Sequence, residues 1–245
     1  MLNSLIVKKA FRIIRRNYGC PGSDHLSIKD IKRDFSYHAK RIIEVYEKDR
    51  FGTLPVRKAE LLDYNNKPRD IYVYCLYDKW IQQILRLQIE PIVEKHLKDY
   101  IFGYRRKLNM LKLREYIRSF NPKFILNLDI SKFYDHVDRN YLYNNLLANP
   151  EITQEILNKI DLCFSHIPNG LPQGNVLSPM LSNYYLLGVD SMFKSKYARF
   201  SDDMFFALDD QEEQNDIINK LSSRLKTLNL SINFEKVILS DAKNF

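Results

Sequence analysis

Two acidic clusters stand about seventy residues apart in this chain, each set on an apolar run. The first closes Phe124-Ile125-Leu126-Asn127-Leu128-Asp129, and the second lies within Tyr197-Ala198-Arg199-Phe200-Ser201-Asp202-Asp203-Met204-Phe205-Phe206. Short apolar runs of this kind read as strands, here with carboxylates at their ends. The separation is too long to be local, so a fold that uses both clusters must bring distant strands side by side. Carboxylates gathered at strand ends are what a two-metal phosphoryl-transfer site needs.

The 245 residues allow a sizeable core, at a length where one domain begins to divide into lobes. A composition of 45% hydrophobic and 28% charged residues is that of a soluble globular protein. No apolar stretch approaches the roughly 18 residues that a membrane span takes, so no membrane partner is expected. Met1-Leu2-Asn3-Ser4-Leu5-Ile6-Val7 meets basic residues only after its apolar run, the reverse of a secretory signal, and the expected location is cytoplasmic. Cys20, Cys75 and Cys163 are odd in number and form no C-x-x-C pair, which argues against a disulfide framework or a zinc site. The net charge of +8 fits a polyanionic partner, because Lys and Arg that neutralise phosphates supply the sequence-independent part of nucleic-acid affinity. Charge alone is weak support, since many basic proteins bind no polyanion.

Residues 2–16 read as a basic amphipathic helix that stops at Asn17-Tyr18-Gly19-Cys20-Pro21-Gly22. Ser27 reads as the cap of one long helix running to about Glu47, with Ile28, Ile31, Phe35, Ile42 and Val45 on its apolar side. A strand pair follows, turning at Asn65-Asn66-Lys67-Pro68 and returning through Ile71-Tyr72-Val73-Tyr74, and then a helix over 78–97. The second half predicts a strand at 124–129 and helices near 139–147 and 153–164, with another opened by Ser178-Pro179. A hairpin of 196–201 with 204–208 then carries Asp202-Asp203 at its tip, before an amphipathic helix and a strand over 230–239. This is the pattern of an antiparallel sheet backed by helices, akin to a split βαβ unit.

Ahead of the Ser178-Pro179 helix lies Gly170-Leu171-Pro172-Gln173-Gly174-Asn175-Val176-Leu177-Ser178-Pro179. Together with Asp129 and Asp202-Asp203, this string resembles the palm motifs of reverse transcriptases, especially bacterial ones of the group II intron and retron type, over residues 19–236. The resemblance implies an α+β fold: a right-hand polymerase core with an antiparallel RRM-like palm sheet backed by helices, and helical fingers with a β-hairpin. It divides the chain into fingers at 1–88 and 139–167 and palm at 89–138 and 168–245. It further implies an RNA-directed DNA polymerase that adds dNTPs to a primer 3′-end on an RNA template with two Mg²⁺ ions, Mn²⁺ serving as a substitute. Carboxylates drawn close together repel unless cations sit between them, and oxygen-only ligation suits Mg²⁺. In the resembled family Asp129 and Asp202 bridge the metals and Asp203 supports them, with Ile130 among the metal-binding positions.

The same resemblance gives roles to other residues. Tyr134, five positions after Asp129, stands where the family sets an aromatic ring beneath the incoming sugar, excluding a 2′-hydroxyl. Gln173 contacts the nucleotide on a tight turn whose Gly174 admits close backbone approach. Arg69 matches the fingers arginine that clamps triphosphate, and bidentate guanidinium–phosphate contact explains the residue type. Group II intron-like enzymes often carry a second basic residue about six positions earlier, where this chain has Asp63, which leaves Lys67 as the substitute. Phe102-Gly103-Tyr104-Arg105-Arg106 resembles the segment that meets template and fingers, with Tyr104 and Arg105 as nucleic-acid contacts. Lys236 matches the lysine that protonates the leaving pyrophosphate. The bland reading of each is a core aromatic, a structural turn or an exposed charge.

Two departures qualify the resemblance. Phe200-Ser201 stands where most relatives read Tyr-Ala or Tyr-x. The chain also ends at Phe245, soon after Lys236, so the expectation is a core without a thumb: a fragment, an enzyme of short specialised synthesis, or one clamped by a partner chain or a cognate non-coding RNA. Compactness suggests retron or phage-defence (antiviral) enzymes among the relatives. Two alternatives stay open: a catalytically idle or partner-dependent RNA-binding protein that keeps the polymerase fold, and an RNA-dependent RNA polymerase, which Tyr134 disfavours.

Overall fold

The computed structural model describes residues 2–16, 21–52, 54–62, 66 and 68–245, so Lys67, Asp63 and most of the turn after the first helix lie outside it. The chain divides into two units, residues 1–93 with 143–178 and residues 94–142 with 179–245. The string 170–178, expected with the palm half, groups with the first unit up to Ser178.

In the first unit, helix Ser4–Ile14 is capped by the Asn3 side chain, which accepts from the Leu5 amide, and buries Val7, Ala10, Phe11 and Ile14. That i, i+3, i+4, i+7 spacing makes one apolar stripe. Phe11 meets Trp80 at 4.8 Å and Phe35 at 5.2 Å between ring centroids, and the Trp80 indole donates to the Val7 carbonyl at 2.9 Å. Full burial of such side chains contributes about 1.5–3 kcal/mol each. The single long helix expected after Ser27 is two helices, Ile28–Arg33 and Phe35–Glu47. The break is at Asp34, whose φ of −137° is not helical and whose carboxylate accepts from the Tyr37 amide, so it ends one helix and caps the next. Strands β1 (Arg57–Leu62) and β2 (Pro68–Val73) form the expected antiparallel hairpin, Arg57 opposite Val73 and Leu62 opposite Pro68. Helix Leu76–Glu94 follows, burying Trp80, Ile81, Ile84, Leu85, Ile89 and Val93. Cys75 and Cys163 are buried free thiols.

The second unit is built on a four-stranded antiparallel sheet of β3 (Phe124–Leu128), β4 (Tyr197–Phe200), β5 (Asp203–Leu208) and β6 (Ile238–Asp241), in the order β4-β5-β3-β6. Because strand side chains alternate, β5 serves two cores. Phe205 and Ala207 pack with Ile125, Ala198 and helix Met110–Arg118 through Leu113 and Ile117. Phe206 meets the rings of Phe193 and Tyr197 at 4.8 and 5.0 Å.

The strand expected over 230–239 is interrupted. Ile232 bridges Ile130, residues Phe234–Lys236 form a 3₁₀ turn, and only then does β6 pair with β3. The bridge is made by the Asn233 amide donating to the Asp129 carbonyl at 2.8 Å and the Ser131 amide donating to the Ser231 carbonyl at 2.9 Å, and the Asn233 side-chain amide adds a bond to Asp129 Oδ2 at 3.3 Å. The 3₁₀ turn then separates this bridge from the pairing of β6. Among the described residues no helix is long and apolar enough to cross a membrane.

Candidate active site

β3 and β5 are antiparallel neighbours with Leu128 opposite Met204, a register that sets the residue after β3, Asp129, level with Asp203 at the start of β5 and beside the preceding Asp202. The two-residue turn Ser201-Asp202 joins β4 to β5, with Phe200 paired to Asp203. Ser201 takes the left-handed φ of +61° that so tight a turn demands. Asp129 is only 6% exposed, and the Asp202 carboxyl lies within hydrogen-bonding reach of it. Burial holds the Asp202 carboxyl above the ordinary carboxylate range, and the negative charge of Asp129 pushes it the same way, while a hydrogen bond from the Ser201 hydroxyl pulls it back. Lys236 Nζ sits 2.5 Å from Asp129 Oδ2 and supplies a counter-charge.

Among the described residues no three acidic, His or Cys side chains form a metal cage. Asp129 and Asp202 come together; Asp203 opens β5, and Ile130 bridges Ile232. The donor chemistry of the pair still suits a divalent cation, since two facing carboxylates carry charge that needs one and oxygen ligands are those hard cations take.

Tyr134 lies on the short helix Phe133–His136, its hydroxyl 3.5 Å from Ser182 Oγ. Its phenol is pushed far up, chiefly by burial and next by the Tyr104 hydroxyl, with the Asp202 charge adding to both. The Tyr134 hydroxyl thus lies within hydrogen-bonding reach of Tyr104 and within the field of the Asp202 charge. Tyr104 is 45% exposed and its hydroxyl lies 3.4 Å from Ser201 Oγ, so it borders the acidic turn. Arg105 turns inward instead. Its guanidinium bonds Glu94 (Nε at 2.7 Å) and the carbonyls of Lys98 (2.7 Å) and Ile101 (2.8 Å), which makes it an anchor for the 94–105 segment rather than a free strand contact.

In the first unit, the Tyr72 amide donates to the Gln173 carbonyl at 2.8 Å, extending β2's hydrogen bonding onto the Pro172-Gln173-Gly174 turn. Gly174 has φ +102°, and a Cβ there would meet the Tyr72 carbonyl oxygen at 2.4 Å, so both the turn and the close approach require glycine. Arg69 lies exposed on the same strand, opposite Leu61. Two residues to which the sequence reading gave no role hold this turn. Asn175 donates to the Cys163 carbonyl (3.0 Å) and accepts from the Leu177 amide (2.9 Å), and Gln82 Oε1 accepts from the Val176 amide at 3.2 Å. Asn175 is visible inside the motif; a glutamine in mid-helix carries no such signal.

The largest omission is beneath the acidic turn. Arg199 is fully buried and pairs with Asp190, Nε to Oδ1 and Nη2 to Oδ2, each at 2.7 Å. Its Nη1 reaches Asn183 Oδ1 at 2.9 Å and the Ser201 carbonyl at 2.7 Å. The sequence reading gives Arg199 no role.

The family model described as reverse transcriptase (RNA-dependent DNA polymerase) matches residues 56–244. The group II intron-encoded protein LtrA of Lactococcus lactis is 27% identical over 206 residues, covering 77% of this chain and 34% of LtrA. Maturase-like protein 1 of Euglena gracilis is 25% identical over 78% of this chain and 43% of its own length. The chain thus spans well under half the length of these relatives. Among solved structures, apo telomerase from Candida tropicalis, truncated from its C-terminal domain, superposes with a TM-score of 0.53 at 14% identity, covering 76% of this chain and 50% of that one. At such identity the likeness is one of fold.

Proposed function

This chain belongs to the reverse transcriptase family, and from that premise we propose that it is a group II intron-like RNA-directed DNA polymerase that extends a primer 3′-end with deoxynucleotides on an RNA template. The observation that carries the reading is the facing pair Asp129 and Asp202 on adjacent strand ends, with an ammonium as counter-charge. A divalent cation bound there, Mg²⁺ or Mn²⁺, would polarise the reacting oxygens and offset the charge that builds on them. Asp129 and Asp202 would hold it, with Asp203 beside them at the start of β5.

In the reaction the primer 3′-hydroxyl gives up its proton to water, its oxygen bonds to the α-phosphorus as the bond to the bridging oxygen of the β-phosphate breaks, and pyrophosphate leaves with the charge of that bond. Lys236 would leave Asp129 and give its proton to the departing pyrophosphate. Tyr134 would lie against the sugar and exclude a 2′-hydroxyl. Gln173, and Arg69 through its fork of donors, would orient the triphosphate. The exposed basic residues Lys8, Lys9, Arg12, Arg15 and Arg16 support an RNA partner, since Val7, Ala10, Phe11 and Ile14 of this helix are spent on the core and every charged side chain it exposes is positive.

The idle-scaffold reading is favoured by one observation, the ammonium of Lys236 already seated on Asp129. Primer extension on an annealed RNA template decides between the two. Mg²⁺-dependent dNTP addition that is lost in Asp202→Asn supports the polymerase; equal incorporation by wild type and Asp202→Asn refutes the role given to this carboxylate. No incorporation by a folded, RNA-bound wild type favours the scaffold.

A further inference from the structure

We propose that Arg199 is a positioning residue that sets the conformation of the Ser201-Asp202 turn, acting through a buried network with Asn183 and Asp190. The inference rests on the reading of Asp202 as a metal-holding carboxylate, and deepens it by naming what aims that carboxylate.

A guanidinium offers five N–H donors in a fixed fork. Here all five are used: two on the Asp190 carboxylate, one on Asn183 Oδ1, one on the Asn183 carbonyl at 3.4 Å, and one on the Ser201 carbonyl. Four of them tie the arginine to helices Ser178–Tyr185 and Leu187–Asp190. The fifth leaves that scaffold to grip the turn that carries Asp202. The backbone of Arg199 is fixed as well, its amide donating to the Tyr100 carbonyl (2.9 Å) and its carbonyl accepting from the Phe102 amide (2.8 Å). Asn183 closes the ring by donating to the Gly103 carbonyl at 2.8 Å, and Tyr197 satisfies Asp190 Oδ1 at 2.7 Å.

A buried ion pair is costly to desolvate, and in many folds an apolar substitute of like volume is as stable. Stability alone therefore does not account for placing one under this turn. The bond to the Ser201 carbonyl does, because an unsupported left-handed residue in a two-residue loop would be free to relax and swing Asp202 away from Asp129. A lysine carries the charge but lacks the fork, so it cannot span Asp190 and the Ser201 carbonyl together.

Arg199→Ala would strand a buried carboxylate and risks misfolding, so Arg199→Lys and Asn183→Ala are the test variants. Leu113→Ala, in the apolar core of the same unit, is the control for lost stability alone. Three readouts are compared: thermal unfolding, hydrogen exchange at the amides of 201–204, and Mn²⁺ affinity from the paramagnetic signal of the free ion. We expect Arg199→Lys to bind Mn²⁺ about tenfold more weakly and to exchange these amides about tenfold faster, the factor that one hydrogen bond to a charged group carries. Asn183→Ala should move both in the same direction. At a matched loss of melting temperature, Leu113→Ala should move neither. Wild-type exchange and Mn²⁺ affinity in Arg199→Lys would overturn the proposal, as would equal changes in Leu113→Ala. A wild type that binds no Mn²⁺ would refute the metal reading instead, and the exchange comparison would still decide the role of Arg199.

Discussion

Replacing Gly103 with alanine inserts one methyl group between the 102–104 segment and the acidic turn. The new Cβ would lie 2.3 Å from the Ser201 amide nitrogen and 3.1 Å from the Phe200 carbonyl carbon, against an ordinary contact of 3.4 Å or more. Both are backbone atoms and cannot rotate away, so relief requires the two segments to part by about 1 Å in an interior packed to crystal density. Overpacking of this kind costs about 1–3 kcal/mol, a melting-temperature loss of several degrees in a chain of this size. The larger effect falls on activity, because the displaced atom belongs to the turn that presents Asp202, and a misplacement near 1 Å costs on the order of 100-fold in rate. Single-turnover primer extension beside a thermal melt measures both quantities. A Gly103→Ala protein that melts with wild type and extends primer within threefold of its rate would refute the reasoning, and so would a fall in melting temperature with the rate unchanged.

Other outcomes follow from the same geometry. Burial and the Asp129 charge raise the Asp202 carboxyl, so at neutral pH its ionised form weakens the fold, a cost that is absent below the ordinary carboxylate range and grows as pH rises through the native value. Asp202→Asn should thus melt above wild type at pH 7, with the gap closing on acidification; a gap independent of pH would count against it. Added Mg²⁺ should raise the melting temperature of wild type and leave Asp202→Asn unmoved, and equal shifts in both would point to binding elsewhere. Tyr134→Ala should narrow the preference for dNTPs over rNTPs by about 10- to 100-fold in a competition assay, and an unchanged ratio would remove Tyr134 from sugar selection. Gly174→Ala, at φ +102° and against the Tyr72 carbonyl, should destabilise the hairpin and its turn by about 1–3 kcal/mol, read as faster exchange at the Tyr72 amide.

Much of this protein was legible in one dimension. The strands around Asp129 and Asp202 follow from alternation and from turn residues, both local properties of a pleated backbone, and the hairpin of 57–73 was readable for the same reason. Helix faces such as Val7, Ala10, Phe11 and Ile14 follow from a period of 3.6. Local pattern failed where a side chain's partner lies far along the chain. Asp34 splits a helix by capping its own neighbour, a choice that periodicity does not register. The strand expected over 230–239 is interrupted by a 3₁₀ turn set between a bridge to Ile130 and pairing with β3, both made with residues about a hundred positions earlier. Arg105 looks like a surface cation until Glu94 and two carbonyls claim it, and nothing next to Arg199 in sequence shows that Asp190 and Asn183 enclose it. The sequence by itself determined at which strand ends Asp129, Asp202 and Asp203 would ride, because spacing along a backbone sets those. Only the tertiary structure decided how the turn between β4 and β5 is aimed, because burying a charge is permitted only where distant groups satisfy every donor, and no run of neighbouring residues records that condition.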